Sequence, residues 1–319
     1  MTVQRKPVDT YATLVMTSLC IVWGIQQVAI KGVADEISPV LQVAIRSGAA
    51  TGLICFMMIL KKTPLRNFAN CLVPGGVVGI LFGLQFLFVA EGLRYTSASH
   101  MSVFLYTAPV FAAIGLQFFR SDERLCAPQW LGIAITFSGI CVAFLSGKAP
   151  VSSSSLTLTG DMMGLLAGLS WGATTIVVRC SSLGESPASH TLFCQLAGGF
   201  LLLSTYSYFS GQNHFEPGTV GIASLIFQSL IVGFASYLAW FSLMRKYMAS
   251  QLGVLSFMTP VFGVITAVFF LREQLQSGFI LGTILILSGI SIVSGWSWFR
   301  SRLLTVFVKK LRRLSADNR

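Results

Sequence analysis

Apolar residues run along this chain in ten long blocks, with polar residues held to brief gaps between them. The blocks cover approximately residues 12–33, 38–60, 71–93, 97–119, 128–146, 161–180, 187–209, 219–243, 250–271 and 277–298. Each is close to the ~20 helical residues that cross a hydrocarbon core of about 30 Å. None shows the alternating segments of about ten residues, polar on the inner face, that mark a membrane β-barrel. The pattern predicts an all-α integral membrane protein with ten transmembrane helices. Composition agrees, with 54% hydrophobic and only 10% charged residues and a mean hydropathy of +0.75. Soluble domains average about 25% charged. Ten spans in 319 residues leave almost nothing for a soluble domain.

Arg5 and Lys6 precede the first apolar block, as in a signal peptide, but the block exceeds a usual h-region and ends in KGVADEIS, a poor cleavage site. It reads as a retained helix. Seven cysteines show neither paired metal spacing nor a disulfide framework, and read as small apolar filler.

A net charge of +11 would suggest nucleic acid in a soluble protein, yet its distribution points elsewhere. If the amino terminus is cytoplasmic, seventeen of the 22 Lys and Arg residues fall on the inside: Arg5, Lys6, Lys61, Lys62, Arg66, Arg120, Arg124, Arg179, Arg245, Lys246 and seven in the tail. Outside lie only Lys31, Arg94, Lys148 and Arg272. This positive-inside bias places both termini in the cytoplasm. The basic tail, 299–319, is expected either to lie as an amphipathic helix on anionic headgroups or to serve as an orientation signal alone.

The chain is also written twice. RYTSASHMSVFLYTAPVFAAIGLQFFRSDERL (94–125) is answered by RKYMASQLGVLSFMTPVFGVITAVFFLREQL (245–275), with Pro109 matching Pro260. Trp23-Gly24 recurs as Trp171-Gly172, Ser38-Pro39 as Ser186-Pro187, and Ser138-Gly139-Ile140 as Ser288-Gly289-Ile290. Five spans per copy is an odd number, so the second copy enters the membrane from the opposite side and the repeats are inverted. The expected organisation is a cytoplasmic N-terminus (1–11), a first repeat (12–146), a polar external linker (147–160), a second repeat (161–298) and the tail (299–319). Glycines four apart (Gly75, Gly79, Gly83; Gly160, Gly164, Gly168, Gly172) predict close helix packing. Pro109 and Pro260, near the middle of the fourth and ninth spans, predict helix kinks around a central cavity.

These residues resemble the EamA type of the drug/metabolite transporter superfamily. The likeness rests on the WG pair in each half, on LRYTSAS…LYTAPVFAAI with DERL and QWLGIAITFSGI, and on LSFMTPVFGVITAVFFLREQL with FILGTILILSGI. It covers 12–298, although each motif is loose alone. It implies a ten-helix inverted-repeat fold with a central cavity, commonly exporting metabolites or amino acids across the bacterial inner membrane. It does not name a substrate.

Charged groups inside spans mark pathways by default. Arg46 lies about eight residues into the second span, with Gln42 one turn earlier. The pair reads as an anion clamp on the cavity or as a structural arginine, and the resemblance, in which an arginine near this point is frequent, admits either. Glu91 is three residues from Arg94, so it reads as half of a local pair or, facing the cavity, as a proton-coupling group. His100 and His190 are alternative titrating groups near span ends. Trp23, Gln26 and Gln27 share a helical face, and their second-half counterparts Trp171, Thr174 and Thr175 repeat the pattern, predicting two walls of one cavity. Gln85, Tyr106, Ser236, Tyr237 and Trp240 are expected to complete it. Arg46 and Glu91 are answered by Cys194 and Ser242, so these unshared polar residues are where substrate choice should be sought.

No Walker loop, HExxH or paired cysteines are present, so neither an enzyme nor an ATP-driven pump is expected, and no cofactor or metal. The sequence predicts an inner-membrane secondary transporter for small amphipathic metabolites such as amino acids, working by alternating access. A nucleotide-sugar or sugar-phosphate exchanger would need several basic residues on the cavity. A non-transporting scaffold would need a packed centre.

Overall fold

The structure is a computed structural model that describes residues 8–62, 71–119, 125–145, 151–184, 186–247, 252, 255–293 and 295–296. The basic tail, the termini of the polar linker at 147–150 and the loop acids Asp122 and Glu123 lie outside the described residues. The helices are α1 (Thr10–Gly32), α2 (Pro39–Leu60), α3 (Leu72–Gly92), α4 (Ala98–Leu105), α5 (Ala108–Phe119), α6 (Ala127–Leu145), α7 (Val151–Cys180), α8 (Ala188–Phe209), α9 (Thr219–Ile226), α10 (Tyr237–Lys246), α11 (Met258–Leu271) and α12 (Ser277–Val293). A π-helical stretch, Phe227–Ser236, joins α9 to α10. Seven of the resulting spans are long and apolar enough to cross a membrane, and three shorter apolar helices, α6, α11 and α12, complete ten. No strand forms among the described residues, which contain one isolated bridge, Ile37 to Phe215. The protein is an all-α membrane protein of ten helical spans in two inverted five-span repeats.

Contacts between spans come in equivalent pairs. Helix α1 packs on α11 as α7 packs on α4 and α5, and α3 packs on α7 and α8 as the π-helical stretch packs on α1 and α2. The α2–α8 pair is its own counterpart. So is α6–α12, where Gly132 and Gly139 rest against Gly289 and Gly282. The first and second repeats therefore interleave rather than sit side by side.

The two prolines act more sharply than the kinks the sequence predicts. The fourth span is two helices, α4 and α5, parted by a turn at Tyr106–Thr107, with Pro109 in the first turn of α5. Thr107 holds that turn, its N–H and hydroxyl both donating to Phe104 O at 3.2 and 2.6 Å. Pro260 likewise stands in the first turn of α11, just after a turn at Phe257. Proline lacks the donor an interior position needs but suits a helix start.

Helix α7 also differs from expectation. It begins at Val151, so residues 151–160 continue a 30-residue helix instead of forming a loop. At about 1.5 Å per residue it is ~45 Å long, more than the hydrocarbon core requires. Gly160 holds the extension down, because a Cβ there would stand 2.7 Å from Thr96 N and 2.9 Å from Gly92 O.

The face of the bundle at which α1 ends, here the distal face, is tied together by polar contacts across the repeats. The Glu273 carboxylate caps α4, accepting from Ala98 N (2.7 Å), Ser99 N (3.0 Å) and Ser99 Oγ (2.6 Å), with Lys31 Nζ 4.0 Å away. Lys31 also donates to Thr96 O. Asp161 accepts from Thr96 Oγ1 and pairs with His100 Nδ1 at 2.9 Å. Glu36 caps α9 through Gly218 N (2.7 Å) and Gly221 N (3.0 Å). At the opposite, proximal face the described ties include Tyr247 Oη donating to Asp9 Oδ2 (2.9 Å) and Gln129 Nε2 donating to Val293 O (2.9 Å).

Candidate functional site

Both repeats contribute to a cavity of about 150 Å³ near the middle of the bundle. Its walls are Trp23, Gln26 and Gln27 of α1, Phe82, Gln85 and Phe86 of α3, Leu105 and Tyr106 at the end of α4, Trp171 of α7, Gln195 of α8, Tyr237 and Trp240 of α10, and Ser256. The turn that Pro109 enforces brings Tyr106 into this wall. The volume is well under the ~300–1,000 Å³ of sites for drug-sized ligands and suits a small metabolite.

Aromatic rings dominate the walls and fix one another. Trp23 meets Trp240 edge-on at 5.6 Å between centroids and Tyr237 at 6.5 Å, and its indole N–H donates to Ser236 Oγ at 2.9 Å. Tyr106 meets Trp171 perpendicularly at 5.2 Å. Phe82 contacts Phe86 at 4.8 Å and Tyr237 at 6.3 Å. Edge-to-face pairs of this kind add about 0.5–1.5 kcal/mol beyond burial, so the box is held in shape before any ligand arrives. Four glutamine amides interrupt it, and Gln27 Oε1 is buried with no hydrogen-bond partner. The lining presents rings, neutral amides and the hydroxyl-bearing Tyr106, Tyr237 and Ser256, and no Lys, Arg, His, Asp or Glu.

Of the sequence-predicted set, Trp23, Gln26, Gln27, Gln85, Tyr106, Trp171, Tyr237 and Trp240 come together on this wall. Ser236 stands behind it as the acceptor for Trp23. Thr174 and Thr175 do not line it, since their hydroxyls donate to their own helix, to Ser170 O (2.9 Å) and Trp171 O (3.2 Å). Gln42 does not line it either. Its amide nitrogen donates to Ile37 O (2.8 Å) and Ile30 O (3.1 Å), and its oxygen accepts from Gln228 Nε2 (2.9 Å), bracing the α1–α2 turn against the π-helical stretch. Arg46 is fully buried outside the lining, with its Cζ 4.2 Å from the centroid of the Phe86 ring.

Glu91 faces away from the cavity. Its carboxylate accepts from Arg94 Nη1 at 2.9 Å and from Gln212 Nε2 at the distal face, which is the local-pair alternative. His100 is likewise distal, paired with Asp161 and stacked on Phe279 at 3.9 Å.

Sequence reasoning missed Phe82, Phe86, Leu105, Gln195 and Ser256. The repeat held a signal for one of them, since Phe86 is the counterpart of Tyr237 at an offset of 151.

The EamA-like transporter family matches residues 10–145 and again 158–295. The chain belongs to that family. Among its relatives are the uncharacterized transporter YoaV of Bacillus subtilis, 23% identical over 86% of this chain and 93% of that one. A probable amino-acid metabolite efflux pump of Salmonella typhimurium is 25% identical over 85% of this chain and 91% of its own length. A solved crystal structure of another protein, 19% identical, shares the fold with a TM-score of 0.62 over 90% of this chain and 98% of that one. The protein is thus a membrane transporter of small molecules.

Proposed function

We propose that this EamA-like protein exports a small amphipathic metabolite, an amino acid or close relative, across a bacterial inner membrane. The observation that carries the reading is the chemistry of the cavity wall. Seven aromatic residues and four glutamines, with no ionised side chain, suit a solute with a compact apolar body and a few hydrogen-bonding groups. A nucleotide sugar or sugar phosphate would require cations on the wall. The name of the Salmonella relative, a probable amino-acid metabolite efflux pump, supports the same class.

In this reading both termini are cytoplasmic, as the positive-inside bias predicts, and the distal face is external. The ties made there by Glu273, Asp161 and Glu36 correspond to a state closed to the outside. Transport follows when the interleaved repeats exchange that closure for an equivalent one at the cytoplasmic face. The eight wall residues named from the sequence hold the solute, with Phe82, Phe86 and Gln195 beside them.

The test is counterflow in proteoliposomes. Vesicles loaded with unlabelled leucine, phenylalanine or threonine should draw in the same labelled amino acid several times faster than protein-free vesicles, and Trp23→Ala should remove most of that uptake. Uptake of all three at the protein-free rate would defeat the reading.

A further inference from the structure

Arg46 is the one fully buried Lys or Arg among the described residues, and its three side-chain nitrogens have no hydrogen-bond partner. No carboxylate among the described residues comes within ion-pair range of it. Buried cations in membranes ordinarily pair with an acid, a backbone carbonyl or water, and an unpaired one needs an explanation. The arginine is roofed on one side by the π-helical stretch, where a Cβ on Gly233 would lie 3.3 Å from Arg46 Cγ. What the guanidinium does touch is the Phe86 ring, 4.2 Å from Cζ, and that ring is also part of the cavity wall. Tyr237, the counterpart of Phe86 in the second repeat and another wall residue, lies within electrostatic range of the same cation. The Phe86 ring, with Tyr237 close by, therefore stands between the cavity and an unpaired positive charge. Beside Arg46 on α2, Ser47 Oγ is also buried without a partner.

We propose that Arg46 is a concealed carboxylate subsite of the cavity, reached when Phe86 turns aside, and that it selects solutes carrying a single carboxylate. The inference rests on the cavity accepting an amphipathic solute and names the charged end of that solute. A guanidinium over a ring holds a weak cation–π contact, whereas its planar fork matches a carboxylate bidentately. Exchange of the first for the second occurs only with solute present, so the charge waits unpaired without binding a competing acid of the protein. One guanidinium neutralises one carboxylate, which sets the class as compact apolar monocarboxylates, amino acids among them.

The experiment uses the purified full-length protein, with the emission of Trp23, Trp171 and Trp240 on the cavity wall as reporter. Three probes sharing a phenylethyl body are titrated: 3-phenylpropanoate, L-phenylalanine and phenethylamine. Both carboxylates should half-saturate at concentrations at least tenfold below the amine. Arg46→Gln should erase that difference by weakening the carboxylates tenfold or more while leaving the amine unchanged, and Arg46→Lys should restore part of it. Phe86→Leu should tighten the carboxylates several-fold, since no ring needs to move, whereas loss of a mere wall ring would weaken all three probes alike. Equal affinities for acid and amine in the unaltered protein, binding of none of the three, or uniform weakening in Phe86→Leu would each overturn the proposal. If Arg46→Gln does not fold, the unaltered protein and Phe86→Leu still decide it. Counterflow separates this inference from the transport reading. Carboxylate counterflow that Arg46→Gln leaves unaltered would remove the subsite and keep the transporter, while carboxylate binding of the expected pattern without counterflow would do the reverse.

Discussion

Gly24 in α1 lies directly against Gly263 in α11, and a Cβ on Gly24 would stand 2.8 Å from Gly263 N and 2.9 Å from the Phe262 carbonyl carbon. The second repeat returns the contact. A Cβ on Gly172 would stand 2.8 Å from Phe111 Cβ and 3.0 Å from both Ala108 O and Ala112 N. The glycine of each WG pair thus seats on the proline turn of the opposite repeat, and the adjacent tryptophan is turned into the cavity wall. One dipeptide sets both the packing of the halves and the position of an aromatic wall. Because the obstacle is backbone, it cannot rotate away. Gly24→Ala should therefore cost toward the upper end of the ~1–3 kcal/mol of overpacking, read as a fall in thermal unfolding temperature of the purified protein. Gly172→Ala should behave alike, and a variant as stable as the parent would show that the contact is looser than described.

Gln42 contributes to the scaffold through hydrogen bonds made inside the bilayer. Its amide ties two carbonyls of the α1–α2 turn to Gln228 of the π-helical stretch. Gln42→Ala leaves those buried groups unpaired, a loss of about 1–3 kcal/mol. The expected result is a lower unfolding temperature with an unchanged ratio of KM values between two transported amino acids. A changed ratio at unchanged stability would place Gln42 at the solute instead.

The span pattern and the repeat were open to sequence reasoning because both are periodic. A helical face reading Trp23, Gln26, Gln27, echoed at Trp171, has few interpretations in a bilayer, and these four residues share the cavity. The threonines failed because a threonine can satisfy its hydroxyl on its own helix, as Thr174 and Thr175 do, whereas a glutamine must reach outward. Arg46 and Gln42 stand off the wall for a different reason. Which way α2 turns is decided by its packing on α8 and the π-helical stretch, and no local pattern in Phe227–Ser236 announces a π-helix. The break at Tyr106 could be foreseen only as a kink, because proline marks a helix start and a bend with the same residue.

Glu273 links α11 to the first turn of α4 and stands 4.0 Å from Lys31. Loss of a helix cap of this kind costs about 1 kcal/mol, enough to shift a balanced pair of conformations about fivefold. Glu273→Ala should therefore populate the state open at the distal face. Ser102 is a suitable reporter, being buried and packed where a Cβ on Gly263 would meet it. In a cysteine-free background carrying Ser102→Cys, a membrane-impermeant maleimide should label the Glu273→Ala protein several times faster than the parent. Equal labelling rates would mean that the cap stabilises α4 without holding the distal face shut.

Glu91 tests whether a carboxylate within a span must couple transport to protons. Its oxygens are taken by Arg94 Nη1 and Gln212 Nε2, and it contributes nothing to the cavity wall. Proton coupling through Glu91 would require the carboxylate to meet solute or water from alternating sides, and here Arg94 and Gln212 hold it at the distal face. Arg94 is 44% exposed, so the pair is weakened by solvent and contributes at most about 1 kcal/mol to stability. Glu91→Gln keeps an acceptor for Arg94 and removes the titrating group. Counterflow measured with and without an imposed pH gradient should therefore show the same dependence in Glu91→Gln as in the parent, with a modest fall in unfolding temperature. Loss of a gradient effect present in the parent would restore Glu91 as the coupling residue.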